Sequence, residues 1–252
     1  KIILMINYQV IIEYLGTNFV GWQKQKNGLS IQEIIERALS KYFRCKVIIH
    51  GSGRTDAGVH ALGQSASFIV SSKKKVLNKQ VFINSINFFL KKYPVSVLKL
   101  RKKKAIFHAR HSAKNRTYKY FIINRPSNLA VEHKRAWHVK KKLDIKLMKR
   151  GLNLLKGSHD FSTFRASSCG AKSPIRKINK VSLKKNKNKI TLSFSSKSFL
   201  QTQVRSMVGS LKYLGDRKWN LKYFKHVLKS KKRSLCAPPA PPHGLYLFKV
   251  EY

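Results

Sequence analysis

Residues 30–43 read Ser-Ile-Gln-Glu-Ile-Ile-Glu-Arg-Ala-Leu-Ser-Lys-Tyr-Phe, and this stretch predicts an amphipathic helix. Ser30 and Glu33 have the spacing of a capping box, and the apolar residues that follow recur every three or four positions. The alternating segment Ile6–Tyr14 precedes the helix and predicts a β-strand. The predicted apolar face of the helix comprises Ile31, Ile34, Ile35, Ala38, Leu39 and Tyr42.

The first half of the chain continues this pattern in the order β-α-β-β-α-β. Strands are expected at Lys46–His50, Gln64–Val70 and Val95–Leu100, and a second helix at Val76–Leu90. This order is that of the split βαβ, or ferredoxin-like, unit.

The second half repeats the element order without repeating the sequence. Its predicted strands are Tyr118–Ile123, Lys177–Leu183, Ile190–Phe194 and Leu245–Val250. Its predicted helices are Asp144–Leu155, Thr202–Leu214 and Leu221–Lys229. We therefore expect an α+β protein with two ferredoxin-like halves, 1–104 and 105–252, each with an antiparallel sheet. The boundary is predicted at the charge run Arg101–Lys104, and the halves are expected to enclose a central basic cleft, since ligands usually bind in such clefts.

The charge of the chain favours a polyanionic partner. There are 54 Lys and Arg against 9 Asp and Glu, a formal net charge of +45. Part of this excess reflects a genome composition that favours lysine codons, because 40 of the basic residues are Lys and only 14 are Arg. The remainder favours nucleic acid over a membrane surface, since no basic amphipathic helix stands out. The apolar run near Ile2–Ile12 is too short to span a bilayer and lacks the features of a signal peptide.

The three cysteines lie far apart in the sequence and form no Cys-x-x-Cys pair. Cys45, Cys169 and Cys236 therefore predict neither a disulfide framework nor a zinc site. A reducing, cytoplasmic environment is expected.

One of the nine acidic residues has an unusual setting. Asp56 lies in Gly51-Ser52-Gly53-Arg54-Thr55-Asp56-Ala57-Gly58-Val59-His60, between two predicted strands. The glycines allow backbone to approach a ligand closely, and Arg54 supplies a nearby cation. The other acids have helix-cap, helix-surface, loop or strand-end positions. The alternative for Asp56 is an Asx-turn in a tight loop. The loop has neither the Lys-Ser/Thr ending of a phosphate loop nor a following helix.

Residues 53–60 resemble the active-site motif of the bacterial tRNA pseudouridine synthase A family, which usually has Ala at the position of Ser52. Further matching segments occur in the family's order along most of the chain. They are Gly21–Gln23, Phe107–Arg110, Arg116–Tyr120, His159–Arg165, Val204–Gly209 and Gly244–Leu247. One departure is Gln201–Val204, where the family often has His or Met just before the motif arginine.

The resemblance implies an isomerase that converts uridine to pseudouridine at positions 38, 39 and 40 in the anticodon stem-loop of tRNA. The reaction cuts the N1–C1′ bond, turns the base and joins C5 to C1′, without a metal or small-molecule cofactor. The family also implies a cytoplasmic homodimer with no membrane association.

The resemblance implies three catalytic residues. Asp56 would be the nucleophile acting on a flipped-out base, with attack at C1′, attack at C6 and a glycal path all left open. Tyr118 would stack on the uracil and relay the C5 proton. Arg205 would pair with the catalytic carboxylate and orient it. From the residues alone, without the motif, the favoured interpretation of Tyr118 is strand core and that of Arg205 is a solvated surface residue of a helix.

The resemblance also implies substrate contacts. Arg54 would fill the space of the flipped nucleotide or hold a phosphate, and Tyr118 and Leu245 would contact the base. Arg110 and Arg165 lie in matching segments and are expected to bind the RNA. Leu245 is alternatively plain strand core.

Three other functions fit the composition. A non-catalytic basic RNA-binding protein on the same type of sheet would show an aromatic RNP1 strand, and neither half has one. A ribosome-associated structural protein would not require an Asp in a Gly-rich loop. A pseudouridine synthase for another RNA site would share the whole motif set.

Overall fold

The computed structural model describes residues 4–252, so Ile2, at the start of the apolar run, lies outside the described residues. Within residues 4–252 the chain forms ten β-strands and five α-helices, a mixed α/β architecture. It divides into two compact units: residues up to Lys114 together with Leu247–Tyr252 form one, and Asn115–Tyr246 form the other. None of the described helices combines the length and the apolar character needed to cross a membrane.

The first unit follows the predicted element order. Its elements are β1 (Met5–Tyr14), α1 (Ile31–Phe43), β2 (Ile49–Gly51), β3 (His60–Ser71), α2 (Lys79–Leu90) and β4 (Val95–Lys103). All pairings are antiparallel: β1 lies between β3 and β4, and β2 pairs with β3. The spatial order is therefore β4-β1-β3-β2. Strand β2 is shorter than predicted, and β3 begins four residues earlier, at His60.

Helix α1 begins and packs nearly as its sequence indicates. The Ser30 side chain accepts a hydrogen bond from the Glu33 N–H (3.2 Å), while the Glu33 carboxylate pairs with Arg37 at 2.7 Å. The buried face differs from the prediction at its last position, where Phe43 is buried and Tyr42 is only half-buried. Phe43 lies 5.8 Å from the ring of Phe68 in β3, so the end of the helix closes on the sheet.

The charge run Arg101–Lys104 is not a linker along its whole length. Residues 101–103 form the end of β4, with Arg101 opposite Gln9 and Lys103 opposite Asn7 of β1. Basic side chains are common on an edge strand, where they stay solvated and hinder pairing with another sheet. The division between the compact units comes later, between Lys114 and Asn115.

The last residues of the chain complete the first unit. The Tyr252 hydroxyl lies 2.7 Å from Ser65 Oγ and 2.9 Å from the Ala109 carbonyl oxygen. The Lys114 N–H donates to the Glu251 carbonyl (2.8 Å). A side chain at Gly63 would lie 2.6 Å from the Phe248 carbonyl oxygen, so the closing segment packs directly on β3.

The second unit contains three predicted helices and two short strands that were not predicted. Its elements are β5 (Asn115–Asn124), β6 (Trp137–Val139), α3 (Ile145–Leu154), β7 (Gly157–Asp160), β8 (Ile175–Asn186), β9 (Lys189–Ser196), α4 (Gln203–Gly215), α5 (Leu221–Lys229) and the start of β10 (Leu245–Glu251). Strands β5, β9, β8 and β7 pair antiparallel in that order. The expectation of purely antiparallel pairing is wrong for β6, which runs parallel to β5 over three residues.

Helix α3 begins at the predicted cap. The Asp144 side chain accepts from the Leu147 N–H (2.9 Å) and pairs with Arg217 at 3.0 Å. The Leu147 hydrogen bond, and after it the Arg217 guanidinium, lower the pKa of Asp144. Met148 and Leu152 are buried, and Ile145, predicted to face inward, is half-buried.

Candidate active site

The residue before Asp56 is fixed at both its main chain and its side chain. Thr55 is buried, and its carbonyl accepts a hydrogen bond from the Trp22 N–H (3.1 Å). Its hydroxyl lies 2.8 Å from the Tyr14 hydroxyl at the end of β1. A buried hydrogen bond that loses one partner costs about 1–3 kcal/mol, so this anchor resists displacement of the loop.

The start of the same loop is held by a buried amide. The Ser52 hydroxyl donates to Gln64 Oε1 (2.7 Å), and Gln64 Nε2 donates to the Gly53 carbonyl (2.9 Å). Ser52 and Gln64 are both fully buried. The serine that departs from the family's usual alanine therefore has a buried acceptor for its hydroxyl.

The end of the loop is a tight turn. The Val59 N–H donates to the Asp56 carbonyl (3.1 Å), and Gly58 adopts φ +76°. His60 follows, fully buried, and its Nδ1 accepts from the Gly16 N–H at 2.8 Å. His60 is therefore neutral, with its proton on Nε2, and it acts as a structural anchor for the turn.

Between these anchors the loop apex reaches the surface. Asp56 is half-buried, and Arg54 and Ala57 are exposed. The loop thus presents a carboxylate and a guanidinium from a backbone that is rigidly held on both sides. Arg110, the other predicted RNA contact of the first unit, is exposed next to Ala109, whose N–H donates to Ser67 Oγ (3.1 Å).

The second unit places Tyr118 on β5, opposite Phe194 of β9. Its side chain is 8% exposed, and its ring meets Phe199 edge to face at 5.3 Å. The neighbouring Tyr120 is fully buried and donates to the Pro241 carbonyl (2.8 Å). Burial raises the pKa of Tyr120 well above its usual range, and the nearby Arg205 charge opposes this shift. Tyr120 is therefore a neutral structural donor.

Arg205 lies in the first turn of α4 and is half-buried, so it is not a freely solvated helix residue. Its Nε donates to the Ala240 carbonyl (2.8 Å), and its own carbonyl accepts from the Ala240 N–H (3.0 Å). The residue that precedes the helix, Thr202, adopts φ +64°, and its side chain makes no capping hydrogen bond. A left-handed conformation is rare for a β-branched residue and is typical of functional sites.

The remaining predicted contacts also belong to the second unit. Arg165 is half-buried and follows a short 3-10 turn, Ser162–Phe164. The next residue, Ala166, donates its N–H to the Gln201 carbonyl (3.0 Å), which places this segment beside the start of α4. Leu245 is 5% exposed, and a side chain at the preceding Gly244 would lie 2.5 Å from the Tyr120 ring.

Residues 4–252 contain no group of three or more His, Cys, Asp or Glu placed to hold a metal ion. A sequence profile of the family described as tRNA pseudouridine synthase matches residues 10–92 and 152–252, which include Asp56 and Arg205.

The chain belongs to the tRNA pseudouridine synthase family. It is 58% identical to the tRNA pseudouridine synthase A of Pelagibacter ubique (strain HTCC1062) over 98% of this chain and 100% of that protein. The proteins of the same name from Ehrlichia canis (strain Jake) and Ehrlichia chaffeensis (strain ATCC CRL-10679 / Arkansas) are 44% and 43% identical over the same shares. This family member is therefore an isomerase that converts uridine in tRNA to pseudouridine.

The sequence alone assigned no role to the residues that anchor the Asp56 loop. Gly21 adopts φ +105°, and a Cβ there would lie 2.5 Å from the Thr55 carbonyl oxygen. Gln64 and His60 are loop anchors of the same kind. Two features of the sequence could have indicated these anchors. Gly21 and Trp22 lie in a segment that matches the family, and His60 is the last residue of the Asp56 motif.

Arg233 is a further residue that the sequence analysis missed. Its Nη1 donates to Ser206 Oγ (3.1 Å) and to the Thr163 carbonyl (3.3 Å). It therefore ties the turn before Arg165 to the helix residue next to Arg205. An arginine at the end of a lysine-rich stretch was the available signal, because Arg offers a planar set of donors that Lys lacks.

Proposed function

We propose that this synthase forms pseudouridine at positions 38, 39 and 40 in the anticodon stem-loop of tRNA, with Asp56 as the nucleophile. The observation that carries the proposal is the Asp56 loop: its flanking residues are fixed by buried hydrogen bonds, while Asp56 itself is only half-buried beside the exposed Ala57. A nucleophile needs this combination, because a rigid backbone lowers the entropic cost of reaching the reactive geometry.

Three routes are open, and in one of them the Asp56 carboxylate attacks C1′ and the electrons of the N1–C1′ bond move to the uracil. The base turns so that C5 faces C1′. The new C5–C1′ bond displaces the carboxylate, C5 then loses its proton, and N1 gains one, so the product is an isomer of uridine. Attack at C6 and a glycal path use the same residue with a different first step. Arg205 pairs with the Asp56 carboxylate through a charge-assisted hydrogen bond and orients it.

The remaining site residues act on the extracted nucleotide. Tyr118 stacks on the uracil and relays the C5 proton through its hydroxyl. Leu245 supports the base from below. Arg54 occupies the space that the flipped nucleotide leaves, since a base inside a stem is not accessible otherwise. Arg110 and Arg165 bind phosphates.

The proposal extends to the architecture. The half predicted at 1–104 carries the catalytic loop, and the half predicted at 105–252 carries Tyr118 and Arg205; the compact units themselves divide after Lys114, and Leu247–Tyr252 belongs to the first of them. The β4-β1-β3-β2 order of the first unit supports a ferredoxin-like half. We further propose a basic cleft between the halves and a cytoplasmic homodimer that binds tRNA; the net charge of +45 supports the nucleic-acid partner.

The decisive experiment compares Asp56→Asn with Asp144→Asn in a tritium-release assay on C5-labelled tRNA. Asn keeps the shape of Asp56 but is a very poor nucleophile, so turnover falls more than ~10³-fold, a barrier increase above about 4 kcal/mol. Asp144→Asn is the matched control, because Asn caps a helix as well as Asp does. Binding of tRNA survives in both variants. Substantial turnover by Asp56→Asn contradicts the nucleophile assignment.

Two further results test the rest of the proposal. Wild-type protein that binds tRNA and releases no tritium is a non-catalytic RNA-binding protein. Mapping pseudouridines in tRNA from a strain without this protein tests the positions, and intact modification at 38–40 contradicts them.

A further inference from the structure

Three imidazoles lie side by side on the first unit, and the proposed catalysis uses none of them. The ring centroid of His108 is 5.2 Å from that of His50 and 4.5 Å from that of His111. His50 and His111 are exposed and His108 is half-buried. We define these three residues as the histidine cluster.

The fold assembles the cluster from two segments. His50 belongs to β2 and lies opposite Ser67 of β3. Ser67 Oγ accepts the Ala109 N–H (3.1 Å), which places residues 108–111 against β3 beside β2. The His108 N–H donates to Ser112 Oγ (3.1 Å), which closes a compact turn.

The central histidine is the one least suited to carry a charge. Its Nδ1 accepts from the Arg110 N–H at 3.1 Å, so this nitrogen is unprotonated and the proton lies on Nε2. Burial lowers the pKa of His108, and the positive charges of His111, His50 and Arg110 lower it further. The groups that lower the pKa of His108 by their charge, His111, His50 and Arg110, are all basic side chains.

A group of imidazoles with two exposed members, His50 and His111, beside the exposed Arg110 is suited to an anion. Imidazolium and guanidinium groups donate charge-assisted hydrogen bonds to phosphate oxygens. Imidazoles in general change charge between pH 5 and 8, so the attraction of such a group for an anion increases as the pH falls. The cluster also adjoins the candidate site in sequence, because the residue after His50 is Gly51, at the start of the Asp56 loop.

We propose that His50, His108 and His111, together with Arg110, bind a phosphodiester group of tRNA, and that protonation of the outer histidines strengthens this contact. The site fixes the RNA backbone next to the catalytic loop and makes the affinity for tRNA depend on pH. The proposal rests on tRNA as the substrate, not on the assignment of Asp56, Tyr118 or Arg205.

The test measures the dissociation constant of an unmodified tRNA transcript against KCl concentration at pH 8.0 and pH 6.0. Each phosphate that a protein cation neutralises changes the slope of log K against log salt by about 0.7–0.9. For the wild-type protein, the slope of log K against log KCl concentration is expected to be steeper by about one at pH 6.0 than at pH 8.0. In the double variant His50→Gln/His111→Gln the slope is the same at both pH values.

Two further proteins separate charge from structure. His50→Lys/His111→Lys carries permanent charges, so its slope is steep at both pH values. His226→Gln removes an exposed histidine of α5 in the other unit and keeps the wild-type pH dependence. A wild-type slope that does not change with pH overturns the proposal, and so does a pH-dependent slope in His50→Gln/His111→Gln. Absence of tRNA binding at both pH values instead contradicts tRNA as the substrate.

Discussion

Replacing Gly21 by Ala adds one methyl group beneath the Asp56 loop. The added Cβ lies 2.5 Å from the Thr55 carbonyl oxygen, whereas ordinary contacts begin at 3.4 Å, an overlap of about 0.9 Å. The neighbouring contacts to Asp56 C and Ala57 N, at 3.2 Å, are also tight. Since these are backbone atoms, relief requires the loop itself to move. A displacement of about 1 Å in a catalytic group costs roughly 10²-fold in rate.

Gly157 provides a control with the same backbone strain. It has the same φ as Gly21, +105°, but the nearest atom to its added Cβ is His159 Nε2 at 3.6 Å. Both substitutions place an L-residue at positive φ, which costs about 1–2 kcal/mol. Gly21→Ala also weakens the hydrogen bond from Trp22 to Thr55, worth about 0.5–1.5 kcal/mol. At roughly 2–4 °C per kcal/mol, the Tm falls by about 2–8 °C for Gly157→Ala and by about 3–14 °C for Gly21→Ala.

The assay is single-turnover tritium release with enzyme in excess over tRNA, at a temperature where both variants are folded. Gly21→Ala is expected to be about 10²-fold slower than wild type, while Gly157→Ala stays within about threefold. Equal rates for the two variants refute the reasoning, because the loop then tolerates the displacement or does not carry the nucleophile.

Three other predictions concern the second unit. Tyr118→Phe is expected to bind tRNA normally and to lose C5-tritium release, whereas Tyr118→Leu also weakens binding, because a stacked base is worth roughly 1–3 kcal/mol; full activity of both variants in single-turnover assays contradicts a site role. Arg233→Ala is expected to slow single turnover about tenfold, with little rescue by Arg233→Lys, since an ammonium lacks the planar donor set; a wild-type rate in Arg233→Ala removes its positioning role. Burial, and then the Glu132 charge, raises the pKa of Tyr246 from 10.0 to about 12. The Tyr246 hydroxyl therefore contributes its full share to the free energy of unfolding below pH 10, and this contribution is lost as the pH rises to about 12. The Tm difference between wild type and Tyr246→Phe should shrink over that range.

The elements that were predicted well are those whose signals are local. Ser30 and Asp144 cap their helices through a hydrogen bond to a residue three positions away. Helix α5 was predicted with the bounds Leu221–Lys229 because its apolar period is complete within nine residues. Strands β6 and β7 were missed, since three or four residues form a strand only when a distant partner is present.

The same distinction applies to the site. Asp56 was identified from its own loop, because the other eight acids have helix-cap, helix-surface, loop or strand-end positions. Its anchors come from distant parts of the chain: Gly16 and His60 are 44 positions apart, and Tyr14 and Thr55 are 41 apart. The sequence around either residue of such a pair does not indicate that the two are in contact. Arg101–Lys103 illustrate the opposite error, because a charge run that is typical of a linker is equally suited to an edge strand.

The return of Leu247–Tyr252 to the first unit has a consequence for synthesis of the protein. Domains generally fold as units during translation, from the N-terminus onward. Residues up to Lys114 leave the ribosome early, but Tyr252, whose hydroxyl reaches Ser65 and Ala109, follows only after the entire second unit. The nascent first unit therefore exposes the surface around Gly63 and Ser65 throughout that interval. Emergence of Leu247–Tyr252, rather than emergence of the catalytic loop, sets the moment at which this unit reaches its final packing.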